Sequence, residues 1–532
     1  STGTIGKIRV THTGTGPDSD ITRVRLYVDA GPDGNPAGGD GVFQYAVDRE
    51  LTDSAGTAVF VSRSTDLVLN IDGGSPYNAA QRAVSASTIT YFVAFDFHAA
   101  ASMALTHGAR VTASDVVPLA GDGVVSPFST IDSRLALMGS TVTIPGCSTV
   151  KNVRKDGSGD HTAIQAAVNA LPTNLSGDAC VVIRDTGTYS EQVTVQGITN
   201  NGYRIRIMAD PSFVSSAPVV SPPALSTAAF LIRNASVTIQ NIAARLPPSG
   251  VAYGIQASSA FVTVSNVGVD GGENANWNTG VILSSYGVVD HSSITVQRGY
   301  GLVLTGVGSV ISASTMNLNG TGINSGYALY IMGSSSNSVT GSFMISPEGL
   351  GAVLDSGAGY NSISLSTMST HNTASPALSI NGAFWNTISD SFMGSRGGYG
   401  AKLEGGSHHN TIVGSTLTSR AFSFAYPALY FYESSWNVLT NCFVSGLDDY
   451  GAAFWANSNN NLISQSTAIS GGVNRYAVYI NSSSSNTFTQ SYLAHSSSGE
   501  VVRIESGSHY NMVSQSTLTL SHNAGYAYYV KG

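Results

Sequence analysis

Few residues of this chain combine type and spacing in a way that suits chemistry, and most of those are carboxylates. Asp355 and Glu404 fall at corresponding points of a repeat of about two dozen residues, two repeats apart, with Asn381 at the same point between them. Stacked at the spacing of paired strands, their carboxyl groups would lie about 10 Å apart, which suits an acid and a base cleaving a glycosidic bond with inversion. The same placement suits carboxylates that merely keep strand ends soluble, and that plainer reading is preferred, so no catalytic residue is assigned. Asp270, Glu273, Glu433 and Glu505 are weaker candidates still.

Aromatic residues form a second pattern. Tyr360, Trp385, His409 and Trp436 each precede the asparagine that marks a repeat, as does Tyr510 further on. If the asparagine points inward, its predecessor points outward, and consecutive repeats display a stripe of rings. Such a stripe binds a sugar chain or another protein, or does no more than stiffen a turn. Near the N-terminus, Asp29, Asp33, Asp40 and Asp48, with Asn35 and Glu50, offer the oxygen ligands that calcium prefers. Their spacing does not match an EF-hand, and an ordinary hairpin loop explains them equally. No cofactor is therefore required, with calcium the alternative. Cys147 and Cys180 are a candidate disulfide if the protein is secreted. Cys442 stands where neighbouring repeats carry serine, as a small buried residue would.

These residues sit on an unusual background. Only 11% of the 532 residues are charged, 42% are hydrophobic and 59 are glycine. The apolar residues come in short regular runs, which disordered chains lack. Net charge is −8 and lysine occurs only at Lys7, Lys151, Lys155, Lys402 and Lys531, so no basic stripe for nucleic acid is expected. No apolar run reaches the roughly 18 to 20 residues of a membrane span.

The elements that must position the candidates fall into two parts. Residues 1–142 read as a β-sandwich of immunoglobulin-like architecture, with short strands at 7–13, 23–30, 58–62, 67–71, 90–97 and 109–114 separated by Gly/Asp/Pro-rich turns. Residues 143–532 open with one amphipathic helix at 161–171, for which Asp160 is the expected N-cap and Pro172 the stop. Then a unit recurs: Asn, any residue, an apolar residue, usually Ser or Thr, any residue, then Ser or Cys. Its markers are Asn337, Asn361, Asn386, Asn410, Asn437, Asn461, Asn486 and Asn511, spaced 24, 25, 24, 27, 24, 25 and 25 residues apart. With short strands and no crossover helix, each strand can pair with its copy one repeat later, so like residues stack into ladders. Asparagine suits the turn because it tolerates left-handed backbone and can bond its copies above and below. The expected fold is all-β: a right-handed parallel β-helix of about twelve coils, preceded by a β-sandwich and one short capping helix.

Residues 153–172, Val-Arg-Lys-Asp-Gly-Ser-Gly-Asp-His-Thr-Ala-Ile-Gln-Ala-Ala-Val-Asn-Ala-Leu-Pro, together with Gly-Thr-Tyr-Ser-Glu-Gln-Val at 187–193, resemble the opening of pectin methylesterases. More broadly, the chain resembles the pectate-lyase-like superfamily of right-handed parallel β-helices and the repeats of bacterial secreted and surface proteins. The resemblance implies the fold and an extracellular or cell-surface setting. It does not carry over a catalytic set: the motifs that bear the esterase Asp, Gln and Arg residues are missing, as are those of polygalacturonases. Asp448-Asp449 stands without partners and is read as a solvated turn, and Val289-Asp290-His291 is only faintly similar to a pectate lyase strand.

The last strand runs into Lys531-Gly532 with no capping repeat, from which either a longer parent protein or head-to-tail self-association is expected. The expected function is accordingly a non-catalytic extracellular structural or surface protein, a filament, sheath or adhesin stalk. A polysaccharide lyase or glycoside hydrolase is the alternative, and a carbohydrate-binding protein the second alternative.

Overall fold

From Ser148 onward each repeat supplies three short strands, and each strand pairs in parallel with its counterpart one repeat later. Sheet A has 15 strands, from Thr149–Val153 to Met512–Ser514. Sheet B has 14, from Thr188–Tyr189 to Thr517–Leu520. Sheet C has 14, from Val193–Val195 to Tyr528–Val530. Together they form a right-handed parallel β-solenoid of about 13 turns, one more than the repeat count suggests. The computed structural model describes residues 147–531 except 211–213, 215, 248–249, 272–276, 321–325, 421–425 and 523–524. Before that it describes 3–13, 17–29, 49–51, 58–68, 83–84, 91–97, 106–111, 116–118, 137–138 and 142–143. The chain divides into two compact units at Cys147/Ser148.

Alternation within strands and identity between coils explain the solenoid core. In sheet A, Ile363, Ile388, Ile412, Leu439, Ile463 and Phe488 stand in one register column, each 1% exposed or less. In sheet C, Leu354, Ile380, Leu403, Phe431, Phe454, Ile480 and Ile504 form another. Each such side chain contributes about 1.5–3 kcal/mol by burial. The corner from sheet A to sheet B turns on a single left-handed residue in most coils, among them Leu365, Asp390, Asn441, Gln465, Gln490 and Gln515.

The first coil is covered by a helix shorter than expected, Ile164–Asn169. Asp160 does not cap it; its carboxylate accepts from the Asn152 backbone and side-chain amides instead. The free amides of Ile164 and Gln165 donate to the two carboxylate oxygens of Glu191, at 2.8 and 2.9 Å. A carboxylate 27 residues downstream thus meets the positive end of the helix. Cys147 and Cys180 are disulfide-bonded, and Cys442 is a buried free thiol.

The N-terminal unit forms small antiparallel sheets. Gly3–Thr13 pairs with Ser64–Val68 and Thr106–Val111, among others, and Ile21–Val28 pairs with Tyr91–Phe97. The strand expected at 58–62 is not one. Ser62 and Arg63 both have positive φ and form the two-residue hairpin turn that leads into Ser64–Val68. Of the suggested calcium ligands, Asp29 is buried at 4% exposure, while Asp33, Asp40 and Asp48 lie outside the described residues. Among the described residues no cluster of three metal-ligating side chains occurs.

Candidate functional site

The asparagine ladder is continuous from Asn337 to Asn511. The backbone and side-chain amides of Asn386 both donate to Asn410 Oδ1, at 3.0 Å each. The same double contact joins Asn337 to Asn361, Asn361 to Asn386, Asn410 to Asn437, Asn437 to Asn461, Asn461 to Asn486 and Asn486 to Asn511. The left-handed residue of this turn is not the asparagine but the one before it. Tyr360, Trp385, His409, Trp436, Asn460, Ser485 and Tyr510 have φ between 55° and 61°. A parallel serine ladder runs at the corner between sheets A and B. Cys442 belongs to it, accepting from the Ser415 amide at 3.4 Å while its own amide donates to Ser466 Oγ at 3.0 Å. Burial pushes its thiol up to about 11, so it stays protonated. Cys442→Ser is expected to change stability by less than about 1 kcal/mol while abolishing thiol labelling of the unfolded chain, as thermal melting and labelling would read.

Tyr360, Trp385, His409 and Trp436 do stack. Ring centroids are 6.4, 4.3 and 6.2 Å apart along the series, with planes within 21° of parallel. Tyr510 stands apart at 90% exposure. A bulky residue in the left-handed region costs about 1–2 kcal/mol, and each stacked pair returns about 0.5–1.5 kcal/mol. The stacking is offset, and Tyr360, Trp385 and Trp436 remain 62%, 48% and 55% exposed, so the row stiffens the turn and also presents rings to solvent.

A larger aromatic surface lies on the outer face of sheet C, which sequence reading missed. One register column runs Tyr330, Val353, Ser379, Lys402, Tyr430, Ala453, Tyr479, Arg503. Beside it Met332, Asp355, Asn381 and Glu404 are aligned, then Tyr432, Trp455, Asn481 and Glu505. Tyr399 stacks on Tyr430 at 5.2 Å and Tyr450 on Tyr479 at 5.3 Å. The signal in the sequence was a tyrosine just ahead of a small residue, as in Tyr399-Gly400 and Tyr450-Gly451, repeated 51 residues apart. Polar groups hold one another in place. Tyr330 donates to Asp355 (3.3 Å), Asn381 Nδ2 donates to Asp355 Oδ1 (3.2 Å), and Tyr479 donates to Glu505 (2.7 Å). Burial, with neighbouring charge, pushes the Tyr330, Tyr430 and Tyr479 hydroxyls up to about 12, so they remain donors at neutral pH. The cations are committed locally. Lys402 contacts Glu404 at 2.6 Å and sits over Tyr399, and Arg503 pairs with Glu505 and sits over Tyr476.

Asp355 and Glu404 stand two coils apart with Asn381 between them in register. The Asn381 side-chain amide is bonded to the Asp355 carboxylate. Asp449 differs from the solvated turn expected of it: its side chain is 0% exposed. It accepts from the Tyr426 and Tyr450 amides and lies 3.5 Å from Arg475 Nε. The tight packing of Gly446 against the carbonyls of Asp449 and Tyr450 draws this turn inward.

No curated protein matches the chain. Among solved structures, a Geobacillus virus E2 protein, ORF18, is similar at 15% identity over 72% of this chain, with a TM-score of 0.24. Tailspike protein 3 of bacteriophage CBA120 is similar at 11% identity over 64%, with a TM-score of 0.38. The A-module of the Azotobacter vinelandii mannuronan C-5 epimerase AlgE4 is similar at 12% identity over 69% of this chain and 95% of its own, with a TM-score of 0.38. The chain spans 61% and 56% of the length of the first two. A family model described as a right handed beta helix region matches residues 376–532.

Proposed function

We propose that this chain is a non-catalytic extracellular rod that binds a polysaccharide along the outer face of sheet C. One observation carries the reading. Tyr432 and Trp455, 37% and 39% exposed, stand in adjacent coils of that face, followed in register by Asn481 and Glu505 and preceded by Asp355, Asn381 and Glu404, polar groups held by their neighbours; that combination grips both the apolar face and the hydroxyl edge of a sugar. The disulfide-bonded Cys147 and Cys180 support an oxidising, extracellular setting. Among the described residues no helix is long and apolar enough to cross a membrane.

Retention on immobilised polysaccharides tests the proposal. The double variant Tyr430→Ala, Trp455→Ala is expected to lose about tenfold or more in affinity with an unchanged circular dichroism spectrum. Retention equal to wild type ends the reading, and release of reducing sugar or unsaturated product would replace it with the enzyme alternative. Self-association into a filament or sheath stays a proposal alongside, and negative-stain images of monodisperse rods would dismiss it.

A further inference from the structure

The outer face of sheet B carries an alternation that neither the repeat markers nor the sheet C surface explains. Its first outward column reads Thr315, Phe343, Thr367, Phe392, Thr416, Phe443, Thr467, Tyr492, Thr517, in direct register from coil to coil. An aromatic ring and a threonine hydroxyl therefore alternate strictly over nine coils. The rings are 50%, 40%, 41% and 41% exposed, which is high for apolar side chains on a regular sheet. Two positions beyond three of the four rings the residue is small and covered, whereas Phe343 is followed there by the half-buried Ile345. Ser445 and Ala494 are 5% and 8% exposed although they face outward, and a Cβ on Gly394 would lie 2.5 Å from Phe392 Cε1. The rings of Phe392, Phe443 and Tyr492 thus lie over those neighbours and turn a face to solvent. Unlike the row at Trp385, they are separated by a threonine coil and do not stack on each other.

Two coils rise about 9.6 Å, and an extended β-1,4-linked glycan advances by nearly that length in two sugars. A chain laid along the rod would place every second sugar on a ring and the sugar between over a threonine hydroxyl. About seven sugars would span all four rings. From Thr315 to Thr519 the two outward columns of the sheet hold no charged side chain, and the one Lys, Arg, Asp or Glu in these strands is Arg396 at the end of Phe392–Gly397, a single cation against a row of nine coils, too little to hold a polyuronate. We infer that sheet B carries a second glycan site, distinct from sheet C, for a neutral, unbranched β-1,4-linked polysaccharide in extended form. Coaxial fit of ring spacing to sugar repeat is what selects the linkage: α-1,4-linked chains curl and cannot meet successive rings.

Calorimetric titration of the full chain with cellohexaose, maltohexaose and hexagalacturonate tests this. Cellohexaose is expected to bind, with the other two at least about tenfold weaker. Phe392→Ala and Phe443→Ala should each weaken cellohexaose about tenfold, and Phe392→Leu should do the same, because apolar bulk without a ring face is not enough. Tyr430→Ala, Trp455→Ala should leave cellohexaose affinity within about twofold, which separates this site from the sheet C reading. The inference is overturned if cellohexaose fails to bind, if it binds the Phe392 and Phe443 variants as well as wild type, or if hexagalacturonate binds as tightly. It is equally overturned if those variants change sedimentation instead of glycan affinity, since the rings would then serve a second copy of the chain.

Discussion

Asn410→Leu is expected to destabilise the solenoid by about 2–5 kcal/mol, the largest effect of any single side chain discussed. Asn410 Oδ1 accepts the backbone and side-chain amides of Asn386, and its own Nδ2 donates to the Ala383 carbonyl at 2.9 Å and to Asn437. Leucine fills a similar volume but leaves the Asn386 backbone amide and one hydrogen of its side-chain amide without an acceptor, in a turn where Asn386 and Asn410 are 0% exposed; the Ala383 carbonyl keeps the His408 amide and Asn386 Nδ2 keeps the Ala358 carbonyl. Each orphaned group costs about 1–3 kcal/mol. A solenoid is held by neighbour-to-neighbour contacts, so the loss should open coils on either side of residue 410 before the rest. Amide hydrogen exchange would show protection lost first around residues 383–411, with a lower denaturant midpoint. Asn511→Leu, at the half-buried last rung, should cost markedly less. Equal midpoints for wild type and Asn410→Leu would show that the ladder is an ornament of the turn and not a support for it.

How far the sequence reveals all this depends on distance along the chain. The repeat, its pitch and its inward asparagines are local patterns, and they survive intact. The error was in assigning the left-handed residue: the asparagine is chosen for its inward bonds, and its neighbour takes the strained backbone, as Trp385 and Trp436 show. The helix cap was misread for a related reason. Asp160 is the nearest acid, yet Glu191 reaches the helix amides because the next turn of the solenoid brings it there. The two aromatic faces were invisible without coil-to-coil register. Phe392 and Phe443 are 51 residues apart and look unrelated until both are seen to flank Thr416. Asp355 and Glu404 do stand two coils apart in register, but the hydrogen bond of Asn381 to Asp355 needed side-chain geometry. Asp449 shows the opposite limit. Two adjacent aspartates suggest water, and only the packing of Gly446 and Arg475 around the turn buries one of them.

That buried aspartate should make stability depend on pH in a direction opposite to carboxylates held below their usual range, such as Asp178 and Glu505. Burial, opposed by the Tyr450 and Tyr426 amides and by Arg475, pushes the Asp449 carboxyl up to about 6 from 3.8. Between those values the folded chain holds this proton more tightly than the unfolded chain. Stability therefore falls as pH rises from about 4 to about 6, and the loss is complete above that, amounting to about 3 kcal/mol. Asp178 acts the other way. Despite burial, hydrogen bonds from the Arg204 amide and from Arg206 hold it below the usual carboxylate range, so its contribution is present at neutral pH and lost as pH falls. The total curve mixes both signs, and only a difference isolates Asp449. Asp449→Asn removes the titration at nearly constant shape, although its amide can accept only one of the two backbone donors. The stability of wild type relative to Asp449→Asn is therefore expected to drop by about 2–3 kcal/mol between pH 4 and pH 7, read from denaturant unfolding at each pH. Parallel curves for the two proteins across that window would mean that Arg475, 3.5 Å away, keeps the carboxylate ionised throughout, and that the turn is held by an ion pair and not by a shared proton.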